Sequence, residues 1–251
     1  MTDHYLRRSN GYAIPYSCQI SGDGQPILLM IHGFGSSKAS STVRLFAAAM
    51  EKSGKGWISF DLPAHGDSPV DGSKLRVANC LEDLHTVESY LSRAYPHSPV
   101  AYLGSSFGAY LLALHLSKHG RPHRKAVLRC AAVKMAQLMI DEQTPEQARL
   151  LRAQGFVILD EDYARPLKIT NAFIDDLLQH DLFAEAGKNM ADMLMIHGTA
   201  DQIAPIADAR SFARHIDAPL VEIEGANHTF DAPGQMDRLV SIALDFFGNF
   251  C

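Results

Sequence analysis

Ala101-Tyr102-Leu103-Gly104-Ser105-Ser106-Phe107-Gly108-Ala109-Tyr110 runs from one apolar stretch through Gly-x-Ser-x-Gly into another. That order marks a buried strand turning sharply into a buried helix, with one serine, Ser106, at the bend. The turn forces the serine into strained backbone angles, and Gly104 and Gly108 let strand and helix pass close without a clash. Glycine and serine are common, so the five residues alone describe only a tight turn. The strand before and the helix after give the turn its chemical meaning.

Outward from this point the chain alternates between strand and helix. Upstream, Ile27-Leu28-Leu29-Met30-Ile31 is a continuous apolar run, as in a strand covered on both faces, and it ends at His32-Gly33-Phe34-Gly35. Residues 40–52 then carry Val43, Phe46, Ala47 and Met50 at helical spacing, with Gly54 as a stop. Trp57-Ile58-Ser59-Phe60 reads as the next strand, ending in Asp61-Leu62-Pro63-Ala64-His65-Gly66, and Val77, Leu81, Leu84 and Leu91 mark a helix face. Downstream, residues 125–131, 193–197 and 220–223 read as strands, and 206–216 and 235–247 as helices. At the start, Ser9-Asn10-Gly11 between strand-like runs 5–8 and 12–20 predicts an antiparallel hairpin. The expectation is an α/β chain: a mostly parallel central sheet with helices on both faces.

Residues 132–190 break the rhythm. No run there reads as a buried strand, while 143–152 and 170–180 read as helices. We expect a core in two parts, 1–131 and 191–251, with 132–190 inserted as a small cap. The insertion holds ten acidic and six basic residues, against a net charge of -5 for the whole chain. A solvated surface accounts for such charge, and Asp175 and Asp176 are assigned to it.

The 251 residues suit one domain with one core, and 47% hydrophobic content is ordinary for a globular protein. The apolar runs fall short of the ~20 residues a membrane span needs. Residues 1–8 lack an apolar signal core, so a cytoplasmic protein is expected. Cys18, Cys80, Cys130 and Cys251 are scattered without metal-site spacing, which predicts free thiols and no metal. No basic run exists to neutralise a phosphate backbone, so neither nucleic acid nor membrane is an expected partner; a homodimer is left open.

A serine hydroxyl needs a base in hydrogen-bond reach and a third group to orient that base. The run 193–196 ends in His197-Gly198-Thr199-Ala200-Asp201, and the last sheet-like run ends in Glu224-Gly225-Ala226-Asn227-His228. Asp201 and His228 therefore lie at strand C-termini, where parallel sheets assemble active sites, and Ser106, Asp201, His228 follow a known triad order. Nucleophile, orienting acid and base are the roles assigned. Backbone N–H groups of Phe107, at the start of its helix, and Phe34, on the loop after the first parallel strand, are the candidate oxyanion donors.

Other candidates have structural readings. His32, His65 and His197 precede glycine or a turn near strand ends, where imidazoles bond loop backbone. His115 and His119 are four apart on one helix without a third ligand in view. Asp61 rivals Asp201 but does not fit the triad order.

These pieces together resemble the α/β-hydrolases, most closely the small cinnamoyl or feruloyl esterases and the serine-aminopeptidase-like hydrolases. The resemblance rests on His32-Gly33-Phe34-Gly35, Phe60-Asp61 through His65-Gly66-Asp67-Ser68, the serine turn, Ile196 through Asp201, and Ile223 through His228. Two departures are visible: Ser105 stands where those families commonly have histidine, and Phe107 where they have a polar residue. The resemblance implies an α/β-hydrolase fold and a cofactor-independent serine ester hydrolase acting on a small-molecule ester, with a hydroxycinnamoyl-type acyl group in a pocket under the cap. Phe34, Phe107, Phe156, Tyr163 and Phe173 are its candidate walls. An aminopeptidase-like enzyme, a thioester or lipid ester hydrolase, and a non-catalytic binding protein of the same fold are the alternatives.

Overall fold

The computed structural model describes residues 4–8, 11–160 and 163–248; Ser9 and Asn10 of the expected hairpin turn, and Cys251, lie outside them. In chain order the strands are β1 (His4–Arg7), β2 (Ala13–Gln19), β3 (Ile27–Ile31), β4 (Gly56–Phe60), β5 (Val100–Ser105), β6 (Arg121–Arg129), β7 (Phe156–Leu159), β8 (Leu167–Thr170), β9 (Ala191–Gly198) and β10 (Leu220–Ile223). Eight of them make one sheet in the order β1-β2-β4-β3-β5-β6-β9-β10. The β1–β2 and β2–β4 pairs are antiparallel and the rest of the ladder is parallel. Every residue of β3, β4 and β5 is buried, which is why these strands are apolar without alternation.

The two faces of the sheet sort by the period of two. Leu28 and Met30 of β3 point toward α1 (Ser41–Lys52), through Val43, Phe46 and Met50, and α9 (Gln235–Phe247), through Leu239, Ala243 and Phe247. Ile27, Leu29 and Ile31 point the other way, into a larger core with α2 (Val77–Ala94), α3 (Phe107–His119) and α8 (Ile206–Ile216). Residues 107–116 of α3 are all buried, so this helix, enclosed on every side, has no polar face to show in its sequence.

Segment 132–190 differs from its expectation. It contains α4 (Met135–Asp141), α5 (Pro145–Gln154), α6 (Asn171–Leu177) and α7 (Leu182–Glu185). It also contains the antiparallel β7–β8 hairpin, in register Phe156↔Thr170 to Leu159↔Leu167. No strand was expected there. The hairpin buries only one face, through Val157, Leu167 and Ile169, and leaves Ile158 exposed, so it lacks the continuous burial of the core strands. Asp176 corrects a second expectation. Its carboxylate accepts the Val77 N–H at 2.6 Å and so caps α2, whose own N-cap residue Arg76 makes no side-chain bond; Asp175 is exposed as expected.

Candidate active site

Ser106 sits between β5 and α3 with φ 55° and ψ -114°. The bend is possible because of what its glycines lack. A Cβ on Gly108 would lie 2.3 Å from the Ile31 carbonyl oxygen, and one on Gly104 would lie 2.6 Å from Ala109 Cα. The strained turn places Ser106 Oγ 3.0 Å from His228 Nε2, and His228 Nδ1 lies 2.8 Å from Asp201 Oδ2. The three residues singled out from strand ends therefore form one hydrogen-bonded line.

Its direction follows from Asp201. Burial alone would raise this carboxyl, but hydrogen bonds from His197 and His228 outweigh it and hold the group well below the usual carboxylate range. Oδ1 also accepts the N–H groups of Ile203 at 3.0 Å and Ala204 at 2.9 Å. An ionised carboxylate can only accept, so His228 Nδ1 donates to it. Nε2 is then left with a lone pair facing the Ser106 hydroxyl.

Gly33 brings the loop after β3 against the serine, and a Cβ there would lie 3.3 Å from Ser106 Cβ. His32 braces this loop: Nδ1 donates to Gly33 O at 2.7 Å, and Nε2 accepts the Leu62 N–H at 3.1 Å. Burial lowers its pKa to about 4, so the ring is neutral, as this pattern requires. His65, lowered to about 3 by burial, bonds Pro63 O. Both histidines are loop braces, as expected. Phe107 directly follows the serine in sequence and Phe34 directly follows Gly33, which lies against it; neither backbone N–H donates to a protein acceptor among the described residues. Asp61 is held by Lys38, through N–H at 2.7 Å and Nζ at 2.8 Å, and by the Asp67 N–H at 2.9 Å.

A cavity of about 720 Å³ opens onto Ser106 and His228. Its walls are mainly aliphatic and thioether groups from segment 132–190: Met135, Leu138, Met139, Leu151, Val157, Leu159 and Ile169. Glu142, Gln143, Gln147 and Asp160 add polar groups. Of the candidate aromatic walls, Phe34 and Tyr163 line the cavity. Phe107, Phe156 and Phe173 do not. Phe107 and Phe173 are fully buried, and Phe173 stacks on Phe34 from behind at 6.1 Å. The Phe156 ring carries Lys168 Nζ at 4.6 Å.

Some residues at the site were not assigned to it from sequence. His197 Nε2 bonds Ala204 O at 2.7 Å, the expected backbone contact, but also lies 3.1 Å from Asp201 Oδ2. His197, Asp201 and Cys130 have ligand atoms within 4.8 Å of one another, and burial pushes the Cys130 thiol up to about 12. Arg129, at the end of β6, reaches Ser105 Oγ and the His228 carbonyl. Its one signal in the sequence was Ser105, a small hydroxyl where the families it resembles commonly have histidine. His115 bonds Glu88 at 3.1 Å, and His119 stacks on His85 with ring centroids 5.3 Å apart.

The sequence pattern described as serine aminopeptidase, S33, matches residues 23–159, more than half of the chain. Solved structures extend the likeness over the whole of it. A putative hydrolase from Agrobacterium vitis S4 superposes with TM-score 0.82 at 18% identity, covering 98% of each chain. Est1E from Butyrivibrio proteoclasticus, bound to ferulic acid, superposes with TM-score 0.81 at 15% identity, covering 97% of each. Mouse α/β hydrolase domain-containing protein 10 superposes with TM-score 0.78 at 19% identity, covering 100% of each. At these identities the likeness is one of fold. No curated protein sequence matches the chain.

Proposed function

Because this chain belongs to the serine aminopeptidase S33 family and has the α/β-hydrolase fold, we propose that it is a serine carboxylic-ester hydrolase working through an acyl-enzyme on Ser106. The observation that carries this reading is the line from Ser106 Oγ through His228 to the ionised Asp201. As Ser106 Oγ attacks the ester carbonyl, His228 Nε2 takes its proton, and Asp201 steadies the imidazolium. The N–H groups of Phe34 and Phe107 receive the developing oxyanion. Collapse expels the alcohol with the proton returned by His228, and a water then repeats the sequence to release the acid. A binding protein would have no use for a strained serine aligned on a base.

Segment 132–190 acts in this reading as a cap whose inner wall receives the acyl group. Phe34 and Tyr163, together with the fold shared with ferulate-bound Est1E, support a planar hydroxycinnamoyl-type acyl group, and the amides and carboxylates of the cap can meet a phenolic hydroxyl. The mostly aliphatic lining supports a second reading, a flexible aliphatic acyl chain. Comparing kcat/KM for methyl ferulate, aliphatic nitrophenyl esters and an aminoacyl anilide distinguishes them. Ser106→Ala should lower turnover of the best ester by ~10³-fold or more without loss of fold. Wild-type turnover in that variant would overturn the proposal.

A further inference from the structure

Among the described residues, Arg129 is a buried cation without a counter-ion in contact. It is 5% exposed, and its hydrogen bonds go to neutral oxygens: Nη1 to Ser105 Oγ at 2.9 Å and Nη2 to the carbonyl of His228. Phe230 lies against the guanidinium with its ring centre 5.1 Å from Cζ, and Nε has no hydrogen-bond partner among the described residues. Burial holds its pKa below the usual arginine value. Taking a charge out of water is costly unless a partner charge and good hydrogen bonds offset it. Among the described residues no carboxylate touches the group, and Asp201 and Asp231 act on it only from further off, so filling space in the core is a poor reason for an arginine at this position.

What the residue joins suggests a better one. Arg129 stands opposite Ser105 in the β5–β6 ladder, and its carbonyl accepts the Ser106 N–H at 2.8 Å. It is thus bonded by backbone and side chain to the nucleophile turn, while the other arm of its fork grips the backbone of the base, 99 residues further along. The neighbours of His228 are less constrained: Asn227 and Thr229 are exposed, and their side chains bond Asp231 within their own loop.

We propose that Arg129 is a positioning residue for the general base, bridging the nucleophile turn to the His228 loop so that Nε2 stays within reach of Ser106 Oγ. The inference rests on the function proposed above. A planar fork is what the task requires, since one rigid group must donate in two directions at once; lysine keeps the charge but cannot span both acceptors.

The test reads nucleophile activation without knowledge of the substrate, as the rate of Ser106 labelling by a fluorophosphonate, alongside kcat and KM on a nitrophenyl ester. Arg129→Met should label about 10- to 100-fold more slowly, with the loss in kcat and KM within about threefold, because a small misplacement of the base slows chemistry rather than binding. Arg129→Lys should fall between it and wild type, and Ser105→Ala, which removes only one anchor, should lose less than Arg129→Met. Wild-type labelling by a folded Arg129→Met, or by Arg129→Lys and Ser105→Ala together if the methionine variant does not fold, would overturn the bridge and leave the proposed function standing. A wild-type protein that does not label at all would overturn both.

Discussion

Asp201 shows how one carboxylate serves several neighbours at once. It accepts two backbone N–H groups on Oδ1 and lies against His228 and His197 on Oδ2, so its position is fixed before any substrate arrives. Asp201→Asn keeps the shape but offers an N–H where His228 needs an acceptor, which favours the wrong imidazole tautomer. We expect kcat to fall by about 10⁴ while the thermal midpoint stays near wild type; a loss under tenfold would remove Asp201 from the mechanism. This residue was legible in the sequence because Ser106, Asp201 and His228 each follow a strand in a known order. Arg129 was not legible: its contact with His228 closes across the sheet, and a lone buried arginine leaves no periodic trace. Phe107, Phe156 and Phe173 were misread as pocket walls for a related reason, since a sequence shows that a side chain is aromatic but not which way it faces.

At the scale of elements, β3, β10, α8 and α9 could be read to the residue, whereas β6, read at 125–131, runs Arg121–Arg129 because only its last four residues are buried. The β7–β8 hairpin could not, since four-residue strands with one buried face look like loop. Nor could the fastening of α6 to α2, where Asp176 supplies the cap that Arg76 does not. Removing that bond in Asp176→Ala should cost about 1 kcal/mol, a drop of ~2–4 °C in the thermal midpoint for a chain of this size. The exposed neighbour Asp175→Ala serves as the control and should change little. Equal midpoints for the two variants would show that the cap on α2 contributes nothing.

The whole molecule should lose stability in acid. His32 and His65 are buried and neutral, with pKa values lowered to about 4 and about 3 by burial, whereas in the unfolded chain histidine titrates near ~6.5. Below that pH the unfolded state binds more protons than the folded state, so these two groups contribute stability that is present above ~6.5 and lost as pH falls through their folded values. Asp83 acts in the opposite sense: burial pushes it up to about 7 despite Arg8, so it favours the folded state as pH falls through 7. Two histidines against one aspartate, with His119 also lowered and acting in the histidines' sense, leave a net loss on the order of 1 kcal/mol per pH unit between roughly pH 6 and 4.5. Urea midpoints should therefore be lower at pH 5 than at pH 6.5; a midpoint that is flat or rises on acidification would contradict the buried neutral histidines.

Gly35 ties two jobs together. A Cβ there would lie 1.6 Å from the Tyr163 ring, and its carbonyl accepts the Ala164 N–H at 2.8 Å, so the loop carrying the Phe34 N–H is clamped by segment 132–190 itself. The segment is therefore not an exchangeable module. On the proposed mechanism, a chimera that transplants it to alter substrate choice would also reset the geometry of charge stabilisation, so specificity and rate would be inherited together unless residues 163–164 travel with a matching loop.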